Sequence, residues 1–365
     1  MSDLLQTPLT SWHKAQGAKM APFAGWDMPI QYKGIIVEHN HTREHASIFD
    51  ICHMGEFTLK GAGAKDALSK IVTHNLDTLG TGKCRYGFLL NEEGCILDDL
   101  IVYCMGEDDY MLVVNGACTE SDFAWIARHL PASLAFTDIS SQTAKIDLQG
   151  PDAYDVLEAV MGSGFRSLKY FCHVTAEFNG DTIIISRTGY TGELGYEFYL
   201  PAYNAAALWD KLNADSRVEP AGLGARDTLR LEVGLPLYGQ DLDTKHNPTE
   251  AGMGWLLKSP AAYIGKGKDA EVREMLIPLT IPGRRAARHN DVVCLPDSKG
   301  GKEVGIVTSG SFCPSVGNSV ALAYVAKEYA EETDFVVKTA RAGLEATRSE
   351  LPFFKGGTAR KKLED

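Results

Sequence analysis

The 365-residue sequence predicts an α+β region followed by a separate, all-β C-terminal domain. Two observations carry this reading. Up to about residue 260, hairpin-like strand runs are mixed with helical stripes, without the alternating strand–helix order of a parallel doubly wound sheet. Beyond about residue 265, short strands separated by glycines take over. The boundary is placed so that residues 1–265 form the first region and residues 266–365 the second.

In chain order, Gly34 to Ala46 reads as a helix ending near Ser47-Ile48-Phe49-Asp50, and His53 to Lys60 as a strand. Ala67, Leu68, Ile71 and Val72 make an apolar helical stripe. Cys84 to Leu90, Cys95 to Tyr103 and Tyr110 to Asn115 read as three antiparallel strands, the first two joined by an Asn91-Glu92-Glu93-Gly94 turn. Thr119 and Asp122 resemble a capping box opening a helix with Phe123, Ile126 and Leu130. Pro151 starts a helix that puts Val156, Leu157 and Val160 on one face. Strands are expected at Ile183 to Arg187 and Tyr196 to Leu200, then helices near Ala205 to Asn213 and Gly222 to Gly234. Past the basic loop Gly265-Lys266-Gly267-Lys268, the strands are Met275 to Ile281, Glu303 to Thr308 and Ser319 to Val325.

Composition narrows the function. The net charge is −12, which argues against general binding to nucleic acid or anionic membranes and leaves room for a local basic pocket. The N-terminal run Met1-Ser2-Asp3-Leu4-Leu5-Gln6 has no basic segment and no long apolar stretch, so a cytoplasmic location is expected. The eight cysteines form no C-x-x-C pair, and several lie in apolar runs; they read as buried free thiols.

Two motifs invite over-reading. His41-Thr42-Arg43-Glu44-His45 matches the inverted zinc-protease pattern, but three fixed positions match by chance often, and no acidic helix supplies a third ligand; a solvated charged helix face is expected, and no metal. Gly222-Leu223-Gly224-Ala225-Arg226-Asp227 begins like a dinucleotide fingerprint, yet Asp227 stands where the last glycine belongs.

Three runs look chemical. In Cys95-Ile96-Leu97-Asp98-Asp99-Leu100-Ile101-Val102-Tyr103, strand alternation puts the two aspartates on opposite, otherwise apolar faces. A buried carboxylate there needs an arginine partner or a ligand that offers N–H groups. In Ser186-Arg187-Thr188-Gly189-Tyr190-Thr191-Gly192-Glu193-Leu194-Gly195-Tyr196-Glu197, the glycines either let backbone approach a ligand or simply pack tightly. Glu197 can accept two parallel N–H bonds from a planar heterocycle. In the helix opened by Gly222, Arg226 and Arg230 share a face. Arg226 can fork onto a ligand carboxylate or pair with Glu197 or Asp227.

Together these runs resemble the glycine cleavage T-protein (aminomethyltransferase) family. Phe23-Ala24-Gly25-Trp26-Asp27-Met28-Pro29, Asp50-Ile51-Cys52-His53-Met54-Gly55-Glu56, Leu148-Gln149-Gly150-Pro151, Leu237-Tyr238-Gly239-Gln240-Asp241 and Gly305-Ile306-Val307-Thr308-Ser309-Gly310 match in order and spacing, from about Thr7 to Phe354. The resemblance implies a three-lobed cloverleaf, with two interleaved α+β lobes and a C-terminal β-barrel around a central channel. It implies transfer of a one-carbon unit from the aminomethyl-lipoyl H-protein to tetrahydrofolate, with release of ammonia. It also assigns roles by position: Asp99 catalytic beside folate N5 and N10, Glu197 on the pterin, Arg226 on the acidic end of folate. Tyr86, Asn115, Tyr190 and Met54 line the pocket. Phe354 departs from the tyrosine common in the family, and the segment from Leu256 to Arg273 is shorter than usual. Folate-dependent demethylases share the fold. The folate-binding iron–sulfur assembly factors are disfavoured, because Pro236-Leu237 stands where their Gly-Cys pair would fall.

Overall fold

The chain enters one sheet, leaves it to build a second, and returns to finish the first. The computed structural model describes residues 4–363, so Met1-Ser2-Asp3 of the N-terminal run lies outside the described residues. The opening elements are α1 (Thr10–Ala15), the hairpin β1 (Lys19–Phe23) and β2 (Trp26–Gln31), α2 (Ile35–Glu44) and β3 (Ala46–Asp50). The second sheet follows, built from β4 (Gly55–Lys60), α3 (Ala64–Leu68), β5 (Lys83–Leu90), β6 (Ile96–Gly106), β7 (Asp109–Val114), α4 (Thr119–His129) and β8 (Ala135–Asp138). The first sheet is then completed by β9 (Thr143–Gln149), α5 (Ala153–Met161), β10 (His173–Phe178), β11 (Asp181–Ser186), β12 (Gly195–Pro201), α6 (Ala205–Asn213), β13 (Val218–Pro220) and α7 (Leu223–Glu232). The first sheet has the order β10-β11-β12-β9-β3-β13 and the second β5-β6-β7-β4-β8, so the two lobes are interleaved in sequence. The remaining strands are β14 (Glu274–Ile281), β15 (Val292–Cys294), β16 (Glu303–Cys313), β17 (Asn318–Ala326), β18 (Asp334–Lys338) and β19 (Gly343–Arg348). They close a barrel in the order β14-β17-β16-β15-β18-β19. The expected α+β class with interleaved lobes and a C-terminal barrel is what the chain adopts.

Each lobe buries its own apolar face. Ile146, Leu148, Val156, Leu157, Phe198 and Trp209 fill the first core, and Phe57, Leu100, Val102, Leu112 and Ile126 the second. Leu279, Val307, Ala321, Ala323 and Val337 fill the barrel. Closure leaves the barrel without a free sheet edge. Among the described residues no helix is long and apolar enough to cross a membrane.

Some local expectations change. Residues 46–50, expected as the end of a helix, form a strand buried along its whole length. It pairs antiparallel with β9 and parallel with β13, and this lateral pairing outweighs the helical approach. Helix α3 stops at Leu68; Ile71 and Val72 are buried beyond its end, and Val72 bridges to Leu89. No capping box forms at α4: the Thr119 hydroxyl donates to the Gly116 carbonyl at 3.2 Å, while Asp122 is buried in the interior. Helix α2 is less solvated than expected, since Glu38, His39 and Thr42 are buried. Arg43 forks onto Glu193 at 2.7 Å and Glu232 at 2.9 Å. His41 and His45 do share a face, with tilted rings whose centroids are 5.1 Å apart. His45 faces Asp152 at 3.4 Å and His41 faces Glu219 at 3.9 Å.

Candidate functional site

Strand β6 carries the carboxylate pair into the second lobe. Asp98 shares its face with Ile96, Leu100 and Val102 and is fully buried. Among the described residues, no cation partners either aspartate. Asn115, at the end of β7, holds both instead. Its backbone N–H donates to Asp98 Oδ2 at 3.0 Å, and its Nδ2 to Asp98 Oδ1 at 2.8 Å. The same amide donates to Asp99 Oδ1 at 2.9 Å and to the Asp99 carbonyl at 3.1 Å. Of the two partners the sequence left open, an arginine or a ligand with N–H groups, neither holds the pair within the protein; an amide that spans the two faces does so instead. Burial, and then the charge of Asp98, raise the Asp99 pKa to about 7, against hydrogen bonding from Tyr86 and Asn115. The Tyr86 hydroxyl is buried next to this carboxyl without a hydrogen bond of good geometry.

A second charged group lies on β9 and β12. Along β9, Ala144, Ile146 and Leu148 enter the core, while Lys145, Asp147 and Gln149 are buried on the opposite face. Glu197 and Asp147 stand directly opposite each other in the register of β12 and β9. Two like charges in that position repel, and two cations offset them. Lys145 Nζ lies 3.1 Å from Glu197 Oε1, and Arg226 pairs with Asp147. The other Glu197 oxygen accepts from Thr188 at 2.5 Å and from Tyr199 at 3.4 Å. Burial opposes ionisation of Glu197, but Lys145, Thr188 and Arg226 outweigh it and its pKa is lowered. Asp147 is pushed up to about 6, by burial first, with Arg226 opposing. Met54 sulfur sits 3.2 Å from Lys145 Nζ.

Tyr190 joins the two groups. The Arg226 guanidinium lies 5.3 Å from the centre of its ring, its hydroxyl donates to the Pro236 carbonyl, and Asp99 lies within electrostatic reach. Of the seven residues singled out from sequence, Asn115, Asp99, Tyr86, Tyr190 and Arg226 follow one another as neighbours, while Glu197 and Met54 join them only through Asp147 and Lys145. Their pairings differ from expectation. Glu197 pairs with Lys145, and Arg226 with Asp147; neither pairs with the other. Asp227 is taken by Arg230, which also reaches Asp241 at 2.7 Å.

The glycines in these runs serve packing. A Cβ on Gly189 or Gly195 would lie 2.2 or 2.0 Å from the buried Gln149 side chain. One on Gly222 would lie 2.3 Å from the Ile30 backbone, and one on Gly224 would lie 2.7 Å from Ile35. Both glycine-rich segments are therefore close-packed joints within the protein. Gly265 likewise fits against Asn91 and Gly94, so the basic loop rests on the β5–β6 turn.

The profile of the GCVT N-terminal domain matches residues 9–260, and that of the glycine cleavage T-protein C-terminal barrel domain residues 275–355. The chain belongs to the glycine cleavage T-protein family. It is 41% identical over 369 residues to the aminomethyltransferase of Synechococcus elongatus, covering 98% of each chain. It is 41% identical over 329 residues to that of Halothermothrix orenii, covering 88% of this chain and 91% of the other. The structure of glycine cleavage system aminomethyltransferase T from Bartonella henselae superposes with a TM-score of 0.91 at 33% identity, covering 98% of this chain and 99% of that one. The chain is accordingly an enzyme, an aminomethyltransferase. The demethylase and assembly-factor readings are not favoured.

Sequence reasoning missed Lys145, Asp147 and Asp122. A signal for the first two was present in Thr143-Ala144-Lys145-Ile146-Asp147-Leu148-Gln149, where apolar and charged residues alternate with period two. Burial of both faces was not visible in it, because that depends on what covers the charged side.

Proposed function

We propose that this chain moves a one-carbon unit from the aminomethyl-lipoyl arm of the H-protein to tetrahydrofolate, with Asp99 as its catalytic residue. The observation that carries this reading is the Asp99 carboxyl itself. It is held by one amide, faces no cation, and has a pKa of about 7. A carboxylate so placed stabilises positive charge that develops beside it, and does so more strongly than in water. Folate supplies the attacking amine, and ammonia is the leaving group.

The protein's tasks are to bind, orient and exclude water. Glu197 is the acceptor for the pterin N–H groups, held ionised by Lys145 and Thr188. Arg226, already paired with Asp147, takes the acidic end of folate by its remaining N–H groups. Tyr86, Tyr190, Asn115 and Met54 line the reacting region. The buried Glu56 Oε1, without a hydrogen-bond partner among the described residues and in the field of Lys145 and Glu197, suits a polar ligand. Orientation of two large reactants can supply roughly 7–11 kcal/mol, so neither a metal nor a covalent nucleophile is required.

The test is ammonia release from aminomethyl-lipoyl carrier protein with tetrahydrofolate, for the wild type and Asp99→Asn. The wild type should release ammonia in a folate-dependent manner. The Asp99→Asn enzyme should fold normally, bind folate, and turn over about a hundredfold more slowly. Equal turnover of the two would remove Asp99 from the chemistry.

A further inference from the structure

Asp98 is more than a neighbour of the catalytic position. Its oxygens receive the backbone N–H and the side-chain amide of Asn115, and that amide in turn holds Asp99. A third group meets Asp98 from helix α4. The Asp122 carboxyl, in the first turn of the helix, lies at hydrogen-bonding range from the Asp98 carboxyl. Asp122 is 2% exposed, and its Oδ2 has no hydrogen-bond partner among the described residues. The other titratable groups facing this point are Asp99, the Cys118 thiol and, farther off, Tyr238. All are acids; none brings a positive charge.

Two carboxyls in contact without a cation are both satisfied only if one keeps a proton and donates it to the other. We propose that Asp122 is a positioning residue, a buried carboxylic acid whose O–H donates to Asp98 and so fixes Asn115 and, through it, the Asp99 carboxylate. The line of contact runs Asp122, Asp98, Asn115, Asp99. Burial, and then the Asp98 charge, place the proton on Asp122 by raising its pKa to about 10. Asp122 stands behind Asp98 and Asn115 as seen from Asp99; its part is to keep Asp98 an oriented acceptor. This inference rests on the assignment of Asp99 above.

The experiment compares Asp122→Ala, Asp122→Asn and Asp99→Asn in the full enzyme. Asp122→Ala removes the Asp122 donor and leaves Asp98 with those of Asn115. Its kcat should fall about tenfold, as expected for one lost hydrogen bond to a charged group, while KM for tetrahydrofolate stays within about twofold. Asp122→Asn, which donates an amide N–H in place of the O–H, should recover most of that loss. Infrared difference spectra at pH 8 should contain a protonated-carboxyl band that Asp122→Asn removes. Should Asp122→Ala not fold, the band and the kcat of Asp122→Asn decide. Wild-type kcat in Asp122→Ala, an Asp122→Asn enzyme as slow as the alanine variant, or an unchanged band would each overturn the proposal. An active Asp99→Asn enzyme would instead overturn the assignment on which it rests.

Discussion

Replacing Glu197 with Gln separates its ion pair with Lys145 from the folate contact proposed for the same carboxylate. In the protein alone, Glu197 neutralises Lys145, whose side chain is 2% exposed. Removing one partner of a buried ion pair costs roughly 3–5 kcal/mol, mostly because the other charge is left unpaired. The lower end applies here, about 3 kcal/mol, because buried Glu56 also lies in the field of Lys145 and can ionise in compensation: its pKa, raised by burial to about 8 and held back by Lys145, will fall when Glu197 loses its charge. In a chain of this size the melting temperature should drop by roughly 5 °C. Folate affinity should fall as well, roughly tenfold or more, for loss of a charged hydrogen bond. The stability loss alone can mimic a binding defect, so the double variant Glu197→Gln, Lys145→Met is decisive. Exchanging both members of a buried pair for neutral groups of similar size is close to neutral. The double variant should regain most of the melting temperature and still bind folate weakly in calorimetry. Wild-type affinity in the double variant would refute the ligand role of Glu197 and leave it a purely structural anion.

Asp99 should set the pH dependence of both activity and stability. Turnover that needs the ionised form should rise with pH through about 7, and the rise should vanish in Asp99→Asn. Because the folded pKa lies above the ordinary value, the unfolded chain releases this proton first, and the contribution of Asp99 to stability falls between about pH 4 and pH 7 and is flat above. Urea midpoints of wild type and Asp99→Asn should therefore diverge over that window, and parallel curves would contradict the shift. Gly195→Ala should cost roughly 2 kcal/mol, since its Cβ would stand 2.0 Å from the Gln149 amide; the loss should shrink when Gln149→Ala is added, and full additivity in denaturant unfolding would sink the packing argument. Thiol titration of the denatured, unreduced protein should count eight free groups, with six of them, all but Cys95 and Cys172, shielded in the native state by burial; a count of six or fewer in air-protected protein would oppose it.

The sequence by itself determined the mixed α+β texture, the all-β texture that follows it, and the strand that carries the aspartate pair. Strand alternation in Cys95 to Tyr103 placed Asp98 and Asp99 on opposite faces, and the change of texture near residue 265 separated the barrel from the mixed region, because side-chain period and turn residues are local properties. The partners of the charged residues were not local. Arg226 and Asp147 are 79 positions apart, and Asn115 lies 16 positions from the Asp99 it holds. Lys145 and Asp147 went unread although they alternate with apolar residues, because only the tertiary structure buries that face and makes it the anchor of Glu197. Residues 46–50 show the same division. Their apolar character is written in the sequence, yet they became strand β3 because β9 and β13, distant in the chain, supply the backbone hydrogen bonds that a lone strand cannot make for itself.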